Sequence, residues 1–265
     1  MTAVKPLILL TNDDGYFSPG IEALETRAER FAETYIVAPD RERSANSLSL
    51  TLRRPLRVQK IRKRVFAADG TPADCVYLAL KRILPRKPSL ILSGMNLGPN
   101  VGQQDISYSG TVAAAIQGTY LDIPSVAISL IPDGRRHFEF ETAALFVEEI
   151  ARRLLKKKLR AGITLNINIP PPPIGGVRIT SLGQKKYDPE IIPKKDPRGD
   201  LFYWIGAGAP QASGDRSSDV RAIKDGFISI TPLHTDLTDY MMMGRPEMAW
   251  ICRPTPAVNP STSRH

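Results

Sequence analysis

Four short runs, "LILL" (7–10), "YIVA" (35–38), "LILS" (90–93) and "VAISL" (126–130), are almost wholly apolar and show no polar alternation. A strand with one wet face alternates, whereas a strand covered on both faces does not, so these runs read as buried strands of a mostly parallel sheet. Helical patterns separate them. "GIEALETRAERFAE" (20–33) sets Ile21, Leu24, Ala28 and Phe31 on one face, and "ETAALFVEEIARRLLKKK" (141–158) does the same with Ala143, Val147, Ile150 and Leu154. The second pattern opens on acids and closes on lysines, which suits the helix dipole. In "TPAD" (71–74), Thr71 reads as an N-cap, Pro72 as the first helical residue and Asp74 as the acid of a capping box. The expected fold is α/β, a Rossmann-like three-layer architecture built on an open sheet.

The texture changes beyond about residue 160. "ITLNINI" alternates like a strand before breaking on four prolines, and "KKYDPEIIPKKDPRGDLFYWIGAGAP" is rich in Pro, Gly and charge, as an extended arm would be. "DGFISITPL" (225–233) is one more strand. The reading is a single domain over 1–250, with a core of about 1–165 and 220–250 and an arm or β-hairpin region over about 166–219. Residues 251–265 read as a disordered tail.

At 265 residues with 42% hydrophobic and 24% charged side chains, the chain can bury a sizeable core. The N-terminal segment is too short in apolar residues for a signal h-region or a membrane span, so a cytoplasmic location is expected. Cys75 and Cys252 are far apart and fit neither a disulfide framework nor a zinc site. The net charge of +9 raises the question of a polyanionic partner. Much of the excess sits in "RRPLRVQKIRKR" (53–64) and "RRLLKKKLR" (152–160), which lack aromatic residues and read as the solvated faces of a hairpin and a helix end. Nucleic acid is therefore not the expected partner.

Ligands of open α/β sheets bind beyond the carboxyl ends of the strands. Those ends carry "TNDDG", "PDRERSANS" and "GMNLGPNVGQQDISYSGT". Two adjacent carboxylates raise each other's pKa and need neutralising, and an oxygen-rich set without His or Cys suits a hard cation such as Mg²⁺ or Mn²⁺. Asp13 and Asp14 are the candidate ligands, with Ser44 and Asn96 contributing neutral oxygens; a tight turn would explain the Asp-Asp-Gly triplet equally well. In "YSGTVAAAIQG" (108–118), Ser109 caps a helix whose first turn holds Gly110 and Thr111, and the exposed N–H groups there make an anion site. Asn46, Gly94 and Asn100 lie in the same strand-end loops and are further candidates for holding phosphate or substrate. No P-loop and no dinucleotide fingerprint is present.

A cation beside an anion cradle is apparatus for hydrolysing a phosphate ester, since the metal polarises the phosphoryl oxygen and acidifies a bound water. Attack by Asp13 through an aspartyl phosphate is the rival mechanism, disfavoured because a metal-ligating carboxylate is a poor nucleophile. The leaving alkoxide needs an acid. His234 follows a strand in "ITPLHTDLTDY" and is the first candidate, with Asp105 as another acid or base. The alternative from a different class is a non-catalytic nucleotide- or RNA-binding protein that uses the basic faces.

Six stretches taken together resemble the SurE family of survival proteins. They are "ILLTNDDGYFSPGIEAL", "VAPDRERSANSLSLT", "DGTPADCVYLAL", "SGMNLGPNVGQQDISYSGTVAAAIQG", "YWIGAG" and "GFISITPLHTDLT", in family order across residues 7–239. The resemblance implies a metal-dependent 5'/3'-nucleotidase with one divalent cation per subunit on Asp13, Asp14, Ser44 and Asn96. It implies activity on nucleoside monophosphates, with short polyphosphate as a further substrate of some members. It also implies dimers or tetramers whose C-terminal arm exchanges between subunits. The chain departs from the family at Leu48, where members often carry His or Asn beside the site.

Overall fold

The structure is a computed structural model, and it describes residues 5–135, 137–157, 159–206, 208, 210–243 and 245–248. The strands are β1 (Leu7–Thr11), β2 (Glu33–Pro39), β3 (Val58–Arg62), β4 (Val65–Ala68), β5 (Leu90–Leu97), β6 (Ser125–Leu130), β7 (Ile163–Ile169), β8 (Val177–Ile179), β9 (Gln184–Lys186), β10 (Ile191–Lys195), β11 (Leu201–Ile205), β12 (Gln211–Ser213) and β13 (Ile228–His234). The helices are α1 (Pro19–Ala28), α2 (Pro72–Leu78), α3 (Gly102–Tyr108), α4 (Gly110–Tyr120), α5 (Phe140–Lys156), α6 (Asp219–Lys224) and α7 (Tyr240–Met243).

All four apolar runs are strands of one nine-stranded sheet ordered β3-β4-β2-β1-β5-β6-β7-β13-β8. Its centre, β4-β2-β1-β5-β6-β7, is parallel throughout. Counted along the chain, those six strands run 3-2-1-4-5-6, the order of a doubly wound sheet. Connections from β1 leave to one side towards β2 and then return to the other side at β5. The crevice of such a sheet opens at that reversal, above the ends of β1 and β5.

The two faces of the sheet differ. Even-numbered residues Ile8, Leu10, Ile36, Leu90, Leu92, Val126 and Ile128, with odd-numbered Ile167 and Ile169, form one apolar core with Ile21 and Leu24 of α1 and Val147 and Leu154 of α5. Burying each Leu or Ile there contributes roughly 1.5–3 kcal/mol. The opposite face carries Leu9 and Ile91 under α2 and α4, but towards the strand ends it turns polar, with Thr11, Ser93, Ser129, Asn166 and Asn168 all fully buried.

Local signals explain the helix starts. Ser18 caps α1 ahead of Pro19, and Thr71 and Asp74 form the reciprocal capping box of α2. α1 is shorter than its apolar period suggests, because the chain tightens after Ala28 with Phe31 N bonded to Ala28 O at 3.1 Å. Phe31 still packs on the core, beneath the Arg152 guanidinium at 4.1 Å. The basic run 53–64 supplies the exposed strand β3 of a hairpin with β4, and α5 ends within the run 152–160.

β7 continues to Ile169 and β8 joins the sheet through β13, so residues 166–169 and 177–179, inside the span read as arm, belong to the sheet. Two separate two-stranded sheets, β10-β11 and β12-β9, make up the arm. The chain divides into two compact units, Met1–Thr235 and Asp236–His265. In the second, Tyr240 of α7 donates to Asp236 Oδ2 at 2.5 Å, and Met241 and Met243 are exposed. The segment 251–265, read as a tail, lies outside the described residues.

Candidate active site

Asp13 and Asp14 stand just past the end of β1, at the reversal of strand order. Asn12 shapes the turn that carries them: its Nδ2 donates to Gly15 O at 2.9 Å and to Ser18 Oγ at 2.7 Å, and its Oδ1 accepts from Gly15 N at 3.1 Å. Asp13 is 6% exposed. Its Oδ1 accepts from the Thr111 hydroxyl, and the Thr111 main chain bonds to it as well. Gly110 lies directly against it, since a Cβ there would sit 2.8 Å from Asp13 Cβ and 2.9 Å from Oδ2. The first anion held by the start of α4 is therefore the protein's own carboxylate.

Burial raises the Asp13 pKa, against the opposing hydrogen bond from Thr111. Asp14 is pushed up to about 7 by burial and by the neighbouring charges of Asp13 and Glu42, opposed by the main chain of Leu97. Its Oδ2 is buried and has no hydrogen-bond partner. A buried carboxylate oxygen with nothing to accept from is costly unless a cation faces it.

The neighbouring strand ends bring the other oxygens. β5 runs past Ser93 through an irregularity in its pairing with β6, and Asn96 follows. Gly94 is what permits this, because a Cβ there would lie 2.3 Å from Ile128 O. It serves close approach of two strands. Asn96 Nδ2 donates to Gly98 O at 2.8 Å, which orients its amide and leaves Oδ1 as its one side-chain acceptor. The loop after β2 is tied to the pair by Arg43 N donating to Asp13 O at 2.7 Å, and it carries Ser44, whose hydroxyl donates to Glu42 Oε1 at 2.6 Å. Asn46 braces that loop through Nδ2 to Arg43 O at 2.7 Å. Ala45 and Ser47 have positive φ of 57° and 49°, conformations that non-glycine residues rarely adopt.

Asp13, Asp14, Gly110 and Thr111 thus converge, with Ser44 and Asn96 on the adjoining strand ends. Among the described residues no group of three or more His, Cys, Asp or Glu is placed to hold a metal. The set is two carboxylates completed by neutral oxygens, a composition that fits a hard cation. Ser109 caps α4 by accepting from Val112 N at 3.1 Å. Asn100 is built into the frame: its N donates to Asn168 Oδ1, its carbonyl accepts from Asn166 and Asn168, and its Nδ2 donates to Ser129 Oγ at 2.8 Å.

Two candidates for proton transfer are corrected. His234 ends β13, which is antiparallel to β7 and pairs His234 with Ile163 at the beginning of that strand. It stands at the pole of the sheet opposite Asp13. Asp105 is close in sequence to the site but committed elsewhere, accepting from Lys185 Nζ at 2.5 Å, Tyr187 OH at 2.8 Å and Val101 N at 3.3 Å. These three donors hold the carboxylate on the arm side of α3.

Glu42 is the residue the sequence reading passed over. It lies between two arginines and reads as surface charge, yet it acts on both aspartates. The polar side of β7 was visible as "TLNINI" but carried no hint of what it would hold.

Comparison with known proteins bears on this arrangement. The model of the family described as survival protein SurE matches residues 8–189. A Geobacter sulfurreducens protein named 5'-nucleotidase SurE is 45% identical over 236 residues, covering 88% of this chain and 89% of its own. An Escherichia coli O127:H6 protein named 5'/3'-nucleotidase SurE is 45% identical over 235 residues, covering 87% and 91%. The crystal structure of the Aquifex aeolicus SurE protein superposes with a TM-score of 0.77 at 41% identity, over 90% of this chain and 97% of that one. With its doubly wound sheet, the adjacent aspartate pair at the reversal of strand order and these relatives along nearly its whole length, the chain belongs to the SurE family.

Proposed function

We propose that this protein is a 5'-nucleotidase that also accepts 3'-monophosphates, and that it works with one divalent cation, Mg²⁺ or Mn²⁺, held by Asp13 and Asp14 with Ser44 and Asn96. The observation that carries the cation is Asp14 Oδ2, a buried oxygen without a partner on the residue next to the buried Asp13. The relatives' names, 5'-nucleotidase and 5'/3'-nucleotidase, support the nucleotidase activity and its extension to 3'-monophosphates.

When bound, such a cation polarises a phosphoryl oxygen and lowers the pKa of a water enough for attack near neutral pH. The chain's own residues supply the frame. Thr111 fixes the Asp13 carboxylate, Gly110 clears room beside it, and the dipole of α4 favours negative charge at this end of the sheet. Asn96, its amide oriented by Gly98, stands at the end of β5, and the braced loop at Ser44 follows β2. Leu48, 38% exposed, and Tyr108, 53% exposed, offer apolar contact for the nucleoside.

We further read the enzyme as a homo-oligomer, a dimer or tetramer joined through its arm. All five residues of β11, including Phe202, Tyr203 and Trp204, are exposed, an apolar strand that a second copy would cover. No helix among the described residues is long and apolar enough to cross a membrane.

The deciding assay is release of inorganic phosphate from 5'- and 3'-nucleotides and short polyphosphate, with Mg²⁺ or Mn²⁺, with and without EDTA, for wild type and Asp13→Asn. Activity abolished by EDTA and by the substitution is expected. Folded wild type that turns over no phosphate ester with any divalent cation overturns the reading. Salt-sensitive RNA binding that survives both treatments would instead favour a binding protein.

A further inference from the structure

We propose that Lys185 and Tyr187, at the base of the arm, are positioning residues for the phosphatase site, acting through Asp105 and helix α3. The inference rests on the site proposed above. Lys185 and Asp105 are 8% and 7% exposed at their side chains, an ion pair almost wholly out of water and 80 residues apart in sequence. Breaking such a pair leaves an uncompensated charge, so the geometry at this point is strongly held.

The front half of α3 is tied to the segment leading into the arm, directly and through Asp219 of α6. Gly102 N donates to Asp219 Oδ2 at 2.8 Å, and Asp219 Oδ1 accepts from Gly183 N at 2.7 Å. Gln103 N donates to Gly183 O at 3.0 Å, and Tyr187 N donates to Gln104 Oε1 at 3.0 Å. Asp105 then takes Lys185 Nζ and Tyr187 OH.

The back half of the same helix goes to the site. Ser47, in its left-handed conformation, donates N–H to Tyr108 O at 3.1 Å and its hydroxyl to Ser107 O at 2.7 Å, which fixes the loop carrying Ser44. Ser109 ends α3, donating to Asp105 O at 2.9 Å, and is at the same time the N-cap of α4. α3 is thus a strut of seven residues between the arm and two walls of the site. A shift of α3 moves the Ser44 loop and the Gly110–Thr111 turn together. Arm placement, and with it assembly of the oligomer, then sets how well the site receives phosphate.

The test uses the full chain with Mg²⁺ or Mn²⁺ and compares wild type with Lys185→Met, Lys185→Arg, Tyr187→Phe and Val147→Ala. Val147 lies in the core on the other face of the sheet and serves as the control for general loss of stability. Readouts are KM and kcat for a nucleoside monophosphate, the inhibition constant of inorganic phosphate, and Tm. Lys185→Met is expected to raise KM and the phosphate inhibition constant together by about tenfold, the scale on which small misplacements act. Lys185→Arg should recover most of the loss, and Tyr187→Phe should raise both constants about two- to threefold, as loss of one hydrogen bond would. Val147→Ala should lower Tm and leave KM unchanged. Should Lys185→Met fail to fold, Tyr187→Phe decides, because unchanged constants there overturn the proposal. Equal shifts of KM in Val147→Ala overturn it too. Wild type without metal-dependent phosphate release would instead sink the site itself.

Discussion

The Thr111 hydroxyl donates to Oδ1 of Asp13, tying the first turn of α4 to the residue just past β1. Thr111 is fully buried, so no water can replace that bond. Thr111→Val keeps the shape and removes the donor. It should cost about 1–3 kcal/mol of stability and loosen the Asp13 carboxylate. Chemical denaturation and a metal titration check the two effects, with metal affinity expected to fall about tenfold; unchanged affinity would detach Thr111 from the site.

Asp13→Asn and Asp14→Asn should each abolish phosphate release while leaving the fold intact. Without metal, both variants should melt at or above the wild-type temperature, because two adjacent, poorly solvated like charges destabilise each other. Circular dichroism with thermal melts in EDTA decides this. Unfolding of either variant would mean that the pair is structural.

The pH dependence has a definite sign. Asp14 ionises at about 7 in the folded chain and near 3.8 unfolded, so between those values the native state holds the extra proton. Stability of the metal-free protein should therefore fall as pH rises from about 4 to 7, and level off above. Asp14→Asn should flatten that slope. Since a cation must displace the proton, metal affinity should weaken as pH drops below about 7. Melts across pH in EDTA, paired with metal titrations, check both.

Gly110→Ala places a methyl 2.8 Å from Asp13 Cβ, closer than real contacts allow. The buried carboxylate must move, at a cost of about 1–3 kcal/mol. Metal affinity and activity should fall at least about tenfold, since the placement of a carboxylate that faces the cation tolerates little displacement. A Gly110→Ala enzyme with wild-type KM and metal affinity would show that the helix can retreat.

His234→Gln should leave the pH profile of kcat unchanged. The residue pairs with Ile163 at the far pole of the sheet, out of reach of a leaving group at Asp13. Loss of an ionisation from the profile would restore it as an acid.

What the sequence made legible was local. Buried strands announce themselves by missing alternation, as in Leu7 to Leu10, and helix starts by their caps, as at Thr71 and Asp74. Asp13, Asp14 and Gly110 were legible because strand ends and a capped helix point to one place. The direction of β13 was not: whether a strand runs with or against its neighbours is decided by partners far away in the chain, and that inverted the position of His234. Asp105 was misjudged for a similar reason, since its partner Lys185 is 80 residues on in a stretch that reads only as arm. Glu42 was hidden by ordinariness, as one acid in a charged loop.

The two faces of the sheet have different freedoms. On the side of α1 and α5 the inward side chains are mostly apolar, and that side supplies most of the cohesion. On the other side, towards the strand ends, Thr11, Ser93 and Asn166 each keep a buried polar atom without a protein partner, beneath the turn that carries Gly110. Exchanges among hydroxyls, amides and small residues there would alter the buried support of the strand ends and leave the apolar face untouched. A lineage built on this frame can therefore vary beneath its strand ends without first having to refold.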